Sequence, residues 1–135
     1  MKVLVDTSVW SAALRRDKPA GSPVVHELRR LIGSHLVAII GPIRQELLSG
    51  IRDEAQFSRL ENHLSAFPDI DLTNEDYVTA AKFFNLCRAR GVQGSNTDFL
   101  ICAVAVRNEL AVFTTDKDFP FFAKYLPIIL HKPAV

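Results

Sequence analysis

Five carboxylates stand where an apolar run has just ended or where a helix begins. Asp6 follows Val3-Leu4-Val5, and Asp116 and Asp118 follow Ala111-Val112-Phe113. Glu46 lies about one turn into the segment after Leu36–Ile40, and Asp98 opens the stretch Asn96–Asn108. Acidic side chains gathered in one place either share protons or hold a cation. His26, His35, His63 and His131 are scattered without ligand spacing, so they do not suggest a zinc site. The donor set is therefore oxygen alone, which selects hard ions, Mg²⁺ or Mn²⁺. Carboxylates holding one or two such ions are a standard means of hydrolysing a phosphodiester.

Each acid also has a plainer role open to it. Asp6 fits a helix N-cap. Ser95-Asn96-Thr97-Asp98 has the form of a capping box. Glu46 flanks an apolar face of Ile43, Leu47 and Ile51 and could be a solvated helix residue. Asp116-Lys117-Asp118 suits a turn and cap ahead of Phe119. What favours chemistry is convergence, and convergence depends on the elements that carry the acids.

Those elements alternate. Val3–Val5, Leu36–Ile40, Ala111–Phe113 and Ile128–Leu130 are short, continuous apolar runs that read as buried strands, and Phe67–Leu72 is a weaker candidate. Between them lie helical patterns through Val24–Ile32, Phe57–Leu64 and Tyr77–Cys87, the last stopped by Gly91. Pro42 suits the first turn of a helix running to about Gly50. Asn96–Asn108 is apolar nearly all round, so it is expected to be buried on most sides. Strands without polar alternation, separated by helices, predict an α/β fold with a parallel sheet covered on both faces. Right-handed crossovers then place every strand's C-terminal end on one edge, where ligands bind in such sheets. The acids gather on that rim whatever the strand order.

With the order and spacing of these residues in view, the chain resembles the PIN-domain ribonucleases, specifically the VapC toxins of toxin–antitoxin pairs. The resemblance rests on Val3-Leu4-Val5-Asp6-Thr7-Ser8-Val9-Trp10, Arg44-Gln45-Glu46-Leu47-Leu48-Ser49-Gly50, Thr97-Asp98-Phe99-Leu100-Ile101-Cys102-Ala103 and Thr114-Thr115-Asp116-Lys117-Asp118-Phe119. No one of these is specific; four in order across the whole chain are. The resemblance implies a single PIN domain over residues 1–135, with a central parallel sheet of about five strands. It implies Mg²⁺- or Mn²⁺-dependent cleavage of RNA, a VapB-type antitoxin as partner, and a homodimer. Asp6, Glu46, Asp98 and Asp116 take the family's four acidic places as catalytic residues, and Asp6, Asp98, Asp116 and Asp118 are the implied metal ligands. Which of Asp116 and Asp118 approaches the metal more closely is left open by the spacing. Thr7 and Thr114 fall where relatives carry hydroxyl residues that orient the carboxylates. Two other readings keep part of this: an RNA-processing PIN nuclease without antitoxin, and a silent PIN-like binding module.

Composition is compatible with a nuclease once charge is partitioned. The 135 residues are 48% hydrophobic and 23% charged, with a net charge of +1, as in an ordinary globular domain. With the five acids set aside, 16 basic residues face ten acidic ones, an excess of six positive charges. Arg15, Arg16 and Lys18 are candidates for RNA contact, with Arg29, Arg30 and Arg44 behind them. Phe119, Phe121 and Phe122 are expected in the core rather than as a base-stacking platform, and Trp10 beside the first helix. Cys87 and Cys102 read as small buried hydrophobes. No stretch approaches the ~20 apolar residues of a membrane span, and no secretory segment is evident. A cytoplasmic protein is expected. A dehalogenase-like phosphatase would carry Asp-x-Asp where this chain has Asp6-Thr7-Ser8, and neither a receiver's acidic pair nor a Walker-type phosphate loop is present.

Overall fold

The computed structural model describes residues 1–14 and 22–133. Its elements, in chain order, are β1 (Val3–Val5), α1 (Thr7–Leu14), α2 (Pro23–Gly33), β2 (Val37–Ala38), α3 (Gly41–Leu48) and α4 (Glu54–Leu64). They continue with α5 (Asn74–Ala89), α6 (Asn96–Arg107), β3 (Ala111–Phe113), α7 (Phe119–Phe122) and β4 (Ile129–Leu130). The strands form one parallel sheet in the order β2-β1-β3-β4. The weaker Phe67–Leu72 candidate adds a single parallel bridge, Ile39 to Asp69, beside β2. The expected sheet of about five strands is thus, among the described residues, four strands and a bridge. Asp69 and Asp71 are exposed, which limits how far that segment pairs.

Strand order fixes where the site lies. The chain steps from β1 to β2 on one side, then returns to place β3 on the other. The C-terminal ends of β1 and β3 are therefore the switch point, where neighbouring loops diverge and leave a crevice. Their register pairs Val5 with Phe113, so Asp6 and Thr114 leave the sheet side by side. The Asp6 N–H still donates to the Phe113 carbonyl at 2.8 Å.

The core wraps this sheet. Val3, Leu4, Val5, Ala111, Val112 and Phe113 are buried, and α6 is buried from Phe99 through Ala105, as its unbroken apolar pattern requires. Trp10 is buried and packs on Phe67 with ring centroids 5.3 Å apart. Cys87 and Cys102 are free and buried, and burial pushes both thiols up, away from ionisation. Of the three phenylalanines expected inside, Phe119 and Phe122 are, whereas Phe121 is 49% exposed. α7 is a short surface helix and presents only one side to the core.

Candidate active site

Asp6 is buried, and its side chain does not cap α1. Instead its Oδ2 accepts two hydroxyl hydrogen bonds, from Ser8 Oγ and from Thr114 Oγ1, each at 2.8 Å. Each hydroxyl has one hydrogen, and both are committed to Asp6. The 3.3 Å approach between Ser8 Oγ and Thr114 Oγ1 is therefore a contact of two acceptors. Both hydroxyl oxygens in turn accept backbone N–H groups: Thr115 on Ser8 at 3.0 Å and Asp116 on Thr114 at 3.0 Å. Two parallel relays thus tie the loop after β3 to α1 and fix the Asp6 carboxylate between them.

The sequence pointed to Thr7 and Thr114 as orienting residues. Thr114 does hold Asp6, but Thr7 turns to α3 and donates to Glu46 Oε2 at 2.8 Å. Ser8 is the residue that sequence reasoning passed over. Its signal was present in Asp6-Thr7-Ser8: a hydroxyl two residues past an aspartate reaches back to it readily.

Asp98 stands at the start of α6 and realises its plainer role in full. Ser95 Oγ accepts the Asp98 N–H at 3.1 Å, and Asp98 Oδ2 accepts the Ser95 N–H at 3.0 Å. It also faces the other acids. Burial pushes its carboxyl above the usual range against the pull of Ser95, and the charges of Asp116 and Asp6 push it further. Asp116 is half-buried, and its Oδ1 accepts the Asp118 N–H at 2.9 Å. Asp118 is exposed at the rim, at the head of α7. Glu46 is exposed on α3, held through Thr7, and borders a cavity of about 610 Å³ between α1, α3 and α4.

The fold therefore brings Asp6, Asp98 and Asp116 into one electrostatic neighbourhood. Glu46 is attached through the residue next to Asp6, and Asp118 through the backbone of its loop. Among the described residues no three His, Cys, Asp or Glu side chains close on a single point. Like charges with nothing between them stand apart. The hydrogen bonds follow a common rule: Asp6, Glu46, Asp98 and Asp116 each commit one oxygen to the protein. Their other oxygens, Oδ1 of Asp6 and Asp98, Oδ2 of Asp116 and Oε1 of Glu46, accept no hydrogen bond among the described residues. Anchored carboxylates with one oxygen to spare are a donor set that fits a hard divalent cation.

Arg15, Arg16 and Lys18 lie outside the described residues. Of the other basic candidates, Arg44 is already engaged: it donates to Asp69 Oδ1 and to the carbonyls of Leu64 and Phe67, pinning α3 to the end of α4. Arg30 forks onto Glu27. Arg29 is exposed on α2.

A parallel sheet of short strands with carboxylates at the switch point, backed by a helix buried from Phe99 through Ala105, is the architecture of a known class. The chain belongs to the PIN domain family, whose model matches residues 3–125. Within it the chain is similar to the VapC ribonucleases. It is 31% identical over 126 residues to Ribonuclease VapC11 of Mycobacterium tuberculosis, covering 90% of this chain and 92% of the relative. A VapC ribonuclease of Mycobacterium bovis matches equally. Two solved structures share the fold: FitAcB from Neisseria gonorrhoeae, with TM-score 0.77, 22% identity and 97% of each chain covered, and VapBC2 from Rickettsia felis bound to a promoter DNA fragment, with TM-score 0.75, 21% identity and 97% and 98% covered.

Proposed function

We propose that this chain is a divalent-metal-dependent endoribonuclease of the VapC type, the toxin of a pair whose antitoxin resembles VapB. The observation that carries the reading is the placement of Asp6 and Asp116 after the paired ends of β1 and β3, with Asp98 at the head of α6, each held by one oxygen with the other to spare. The names of the VapC relatives support ribonuclease activity, and VapBC complexes among the fold neighbours support an antitoxin partner.

Asp6, Asp98 and Asp116 would hold Mg²⁺ or Mn²⁺, with Asp118 joining or replacing Asp116 at the rim. Bound there, such an ion acidifies water and offsets charge growing on the phosphate oxygens. Ser8 and Thr114 hold Asp6 through Oδ2, which would leave Oδ1 for the ion. Glu46, steadied by Thr7, takes the proton from the attacking water. The water oxygen joins phosphorus, the bond from phosphorus to the 3′ oxygen breaks, and that oxygen gains the proton. The products carry a 5′-phosphate and a 3′-hydroxyl, with no covalent enzyme intermediate. On this reading the protein acts in the cytoplasm, with its antitoxin and RNA, as a homodimer.

The test is cleavage of total cellular RNA by the purified, partner-free chain with Mg²⁺ or Mn²⁺ and with EDTA. Metal-dependent cleavage, lost in Asp6→Ala and in Glu46→Gln, is expected; Glu46→Gln should still bind RNA. No cleavage with either metal would overturn the reading. Light scattering should give twice the 15.1 kDa chain mass.

A further inference from the structure

We propose that the exposed rings of Phe121 and Tyr125, with Arg90 and Lys124, form a stacking platform for the single-stranded RNA that flanks the scissile bond. The proposal rests on the ribonuclease reading and adds to it a binding surface outside the carboxylates.

The rings are the first observation. Phe121 is 49% and Tyr125 38% exposed, while their neighbours Phe119 and Phe122 are wholly buried. The N–H groups of Ala123 and Leu126 bond back to Phe119 and Phe122, and those of Lys124 and Tyr125 to Phe121 and Phe122, so the chain keeps turning past α7. Phe119, Phe122 and Leu126 face the core, and Phe121 and Tyr125 face away from it. The segment keeps two aromatic rings for the core and holds two out to water.

Each exposed ring carries a cation. Lys124 Nζ lies 4.9 Å from the centre of the Phe121 ring, and the Arg90 guanidinium 5.6 Å from that of Tyr125. Neither cation forms an ion pair among the described residues. Aromatic faces that take any base, beside cations that take backbone phosphate, are the means by which single strands are bound without sequence readout.

Placement ties this patch to the acids. Arg90 ends α5, and the chain runs from it through Gly94 and Ser95 to Asp98. Phe121 and Tyr125 lie three and seven residues after Asp118. Gly94 locks the two segments together, since a Cβ there would sit 2.4 Å from the Phe122 ring. A cavity of about 230 Å³ lined by Arg88, Gln93 and Gly94 adjoins the junction and brings a third cation. Carboxylates repel an incoming phosphate chain, so an RNA held at them needs cations on the path leading away. This patch supplies them between the two segments that carry Asp98 and Asp116.

The experiment is fluorescence anisotropy of a labelled short single-stranded RNA of mixed sequence, in EDTA, where cleavage is off. KM for cleavage of the same RNA with Mg²⁺ is measured alongside. Phe121→Ala and Tyr125→Ala should each weaken binding about tenfold and raise KM by a similar factor. Phe121→Tyr, which keeps a ring, should bind like the wild type. Lys124→Gln and Arg90→Gln should each lower the slope of log affinity against log salt by about 0.7. Melting temperature checks that the alanine variants are folded. Equal RNA affinity and KM in wild type and both alanine variants would overturn the platform; if that preparation still cleaves with Mg²⁺, the ribonuclease reading stands. A wild type that neither binds nor cleaves RNA would overturn both.

Discussion

Asp6 makes no use of the helix that starts beside it. A carboxylate at that position could accept the first N–H groups of α1, yet it is turned instead to two adjacent hydroxyls, one from α1 and one from the loop after β3. Replacing either hydroxyl leaves Asp6 half-anchored and frees a loop N–H. Thr114→Val and Ser8→Ala should each weaken Mn²⁺ binding about 10- to 100-fold, the usual cost of losing a group that orients a metal ligand. Calorimetric titration reads this directly. Thr7→Val should behave differently, because Thr7 holds Glu46: cleavage slows while Mn²⁺ affinity stays near wild type. Equal effects of Thr7→Val and Thr114→Val on metal affinity would mean that the two hydroxyls do not act on separate carboxylates. Asp98 offers a sharper separation of roles. Asp98→Asn keeps a carbonyl oxygen for the Ser95 N–H, so the capping box survives. It removes a charge that Asp116 and Asp6 oppose. The melting temperature should hold or rise while cleavage is lost. Loss of several degrees, or cleavage at the wild-type rate, would contradict this assignment.

The helices that precede strands or site loops end in a shared way. After α5 the Gly91 N–H bonds to the Arg88 carbonyl and the Val92 N–H to that of Cys87, each at 2.9 Å, with Gly91 at φ 76°. This is the paired closure in which one left-handed residue satisfies the last carbonyls. The ends of α2 and α6 repeat it, His35 and Leu36 bonding to Ile32 and Leu31, Glu109 and Leu110 to Val106 and Ala105. There the left-handed residue is His35 at φ 57° and Glu109 at φ 54°, each placing an apolar residue directly before a strand. Glu109 combines an unfavourable backbone region with a negative charge at a helix C-terminus. Glu109→Gly should therefore stabilise the protein by about 1 kcal/mol, after the greater freedom of glycine in the unfolded chain is counted. The urea midpoint should rise; a fall would mean that the Glu109 side chain contributes more than its backbone costs. The same ends explain what could be read in advance. Gly91 advertised its helix stop by residue type. The stops at His35 and Glu109 carry no such mark, and only the apolar runs starting at Leu36 and Ala111 located them. That Asp6 and Asp116 leave the sheet together was legible because parallel topology alone sends strand ends to one rim. Their partners were not: Ser8 meets Thr114 across 106 residues, and the exposure of Phe121 depends on how a short helix lands.

At the scale of the whole molecule, two buried acids outside the site join segments far apart in the chain. Asp76 accepts a fork from Arg107, tying the start of α5 to the end of α6. Glu27 on α2 accepts a fork from Arg30 and meets His131, just past β4 and 104 residues away. His131 is itself anchored, its N–H on the Val112 carbonyl and its ring against Phe113. Glu27 thus holds the far edge of the sheet to a helix that follows the first strand. In sequence it looks like one more solvated helix charge, because both its burial and its distant partner come from tertiary structure. Its hydrogen bonds, chiefly with Arg30, hold its carboxyl down to about 2 from an ordinary 4.5, against the opposing effect of burial. Asp76 is lowered as well, chiefly by Arg107. A carboxyl lowered on folding stabilises the native state above its unfolded pKa, and that stabilisation disappears as pH falls through the folded value. The Glu27 contribution is therefore complete above about pH 4.5 and lost progressively between about 4.5 and 2. Urea midpoints measured across that window should fall steeply for the wild type. Glu27→Gln cannot exchange the proton, so its curve should start lower at neutral pH and decline less on the way down. Parallel curves for the two proteins would place acid sensitivity elsewhere, with Asp76 and Arg107 the next pair to test. Convergence of the curves near pH 2 would identify Glu27 as the group whose protonation loosens the sheet edge.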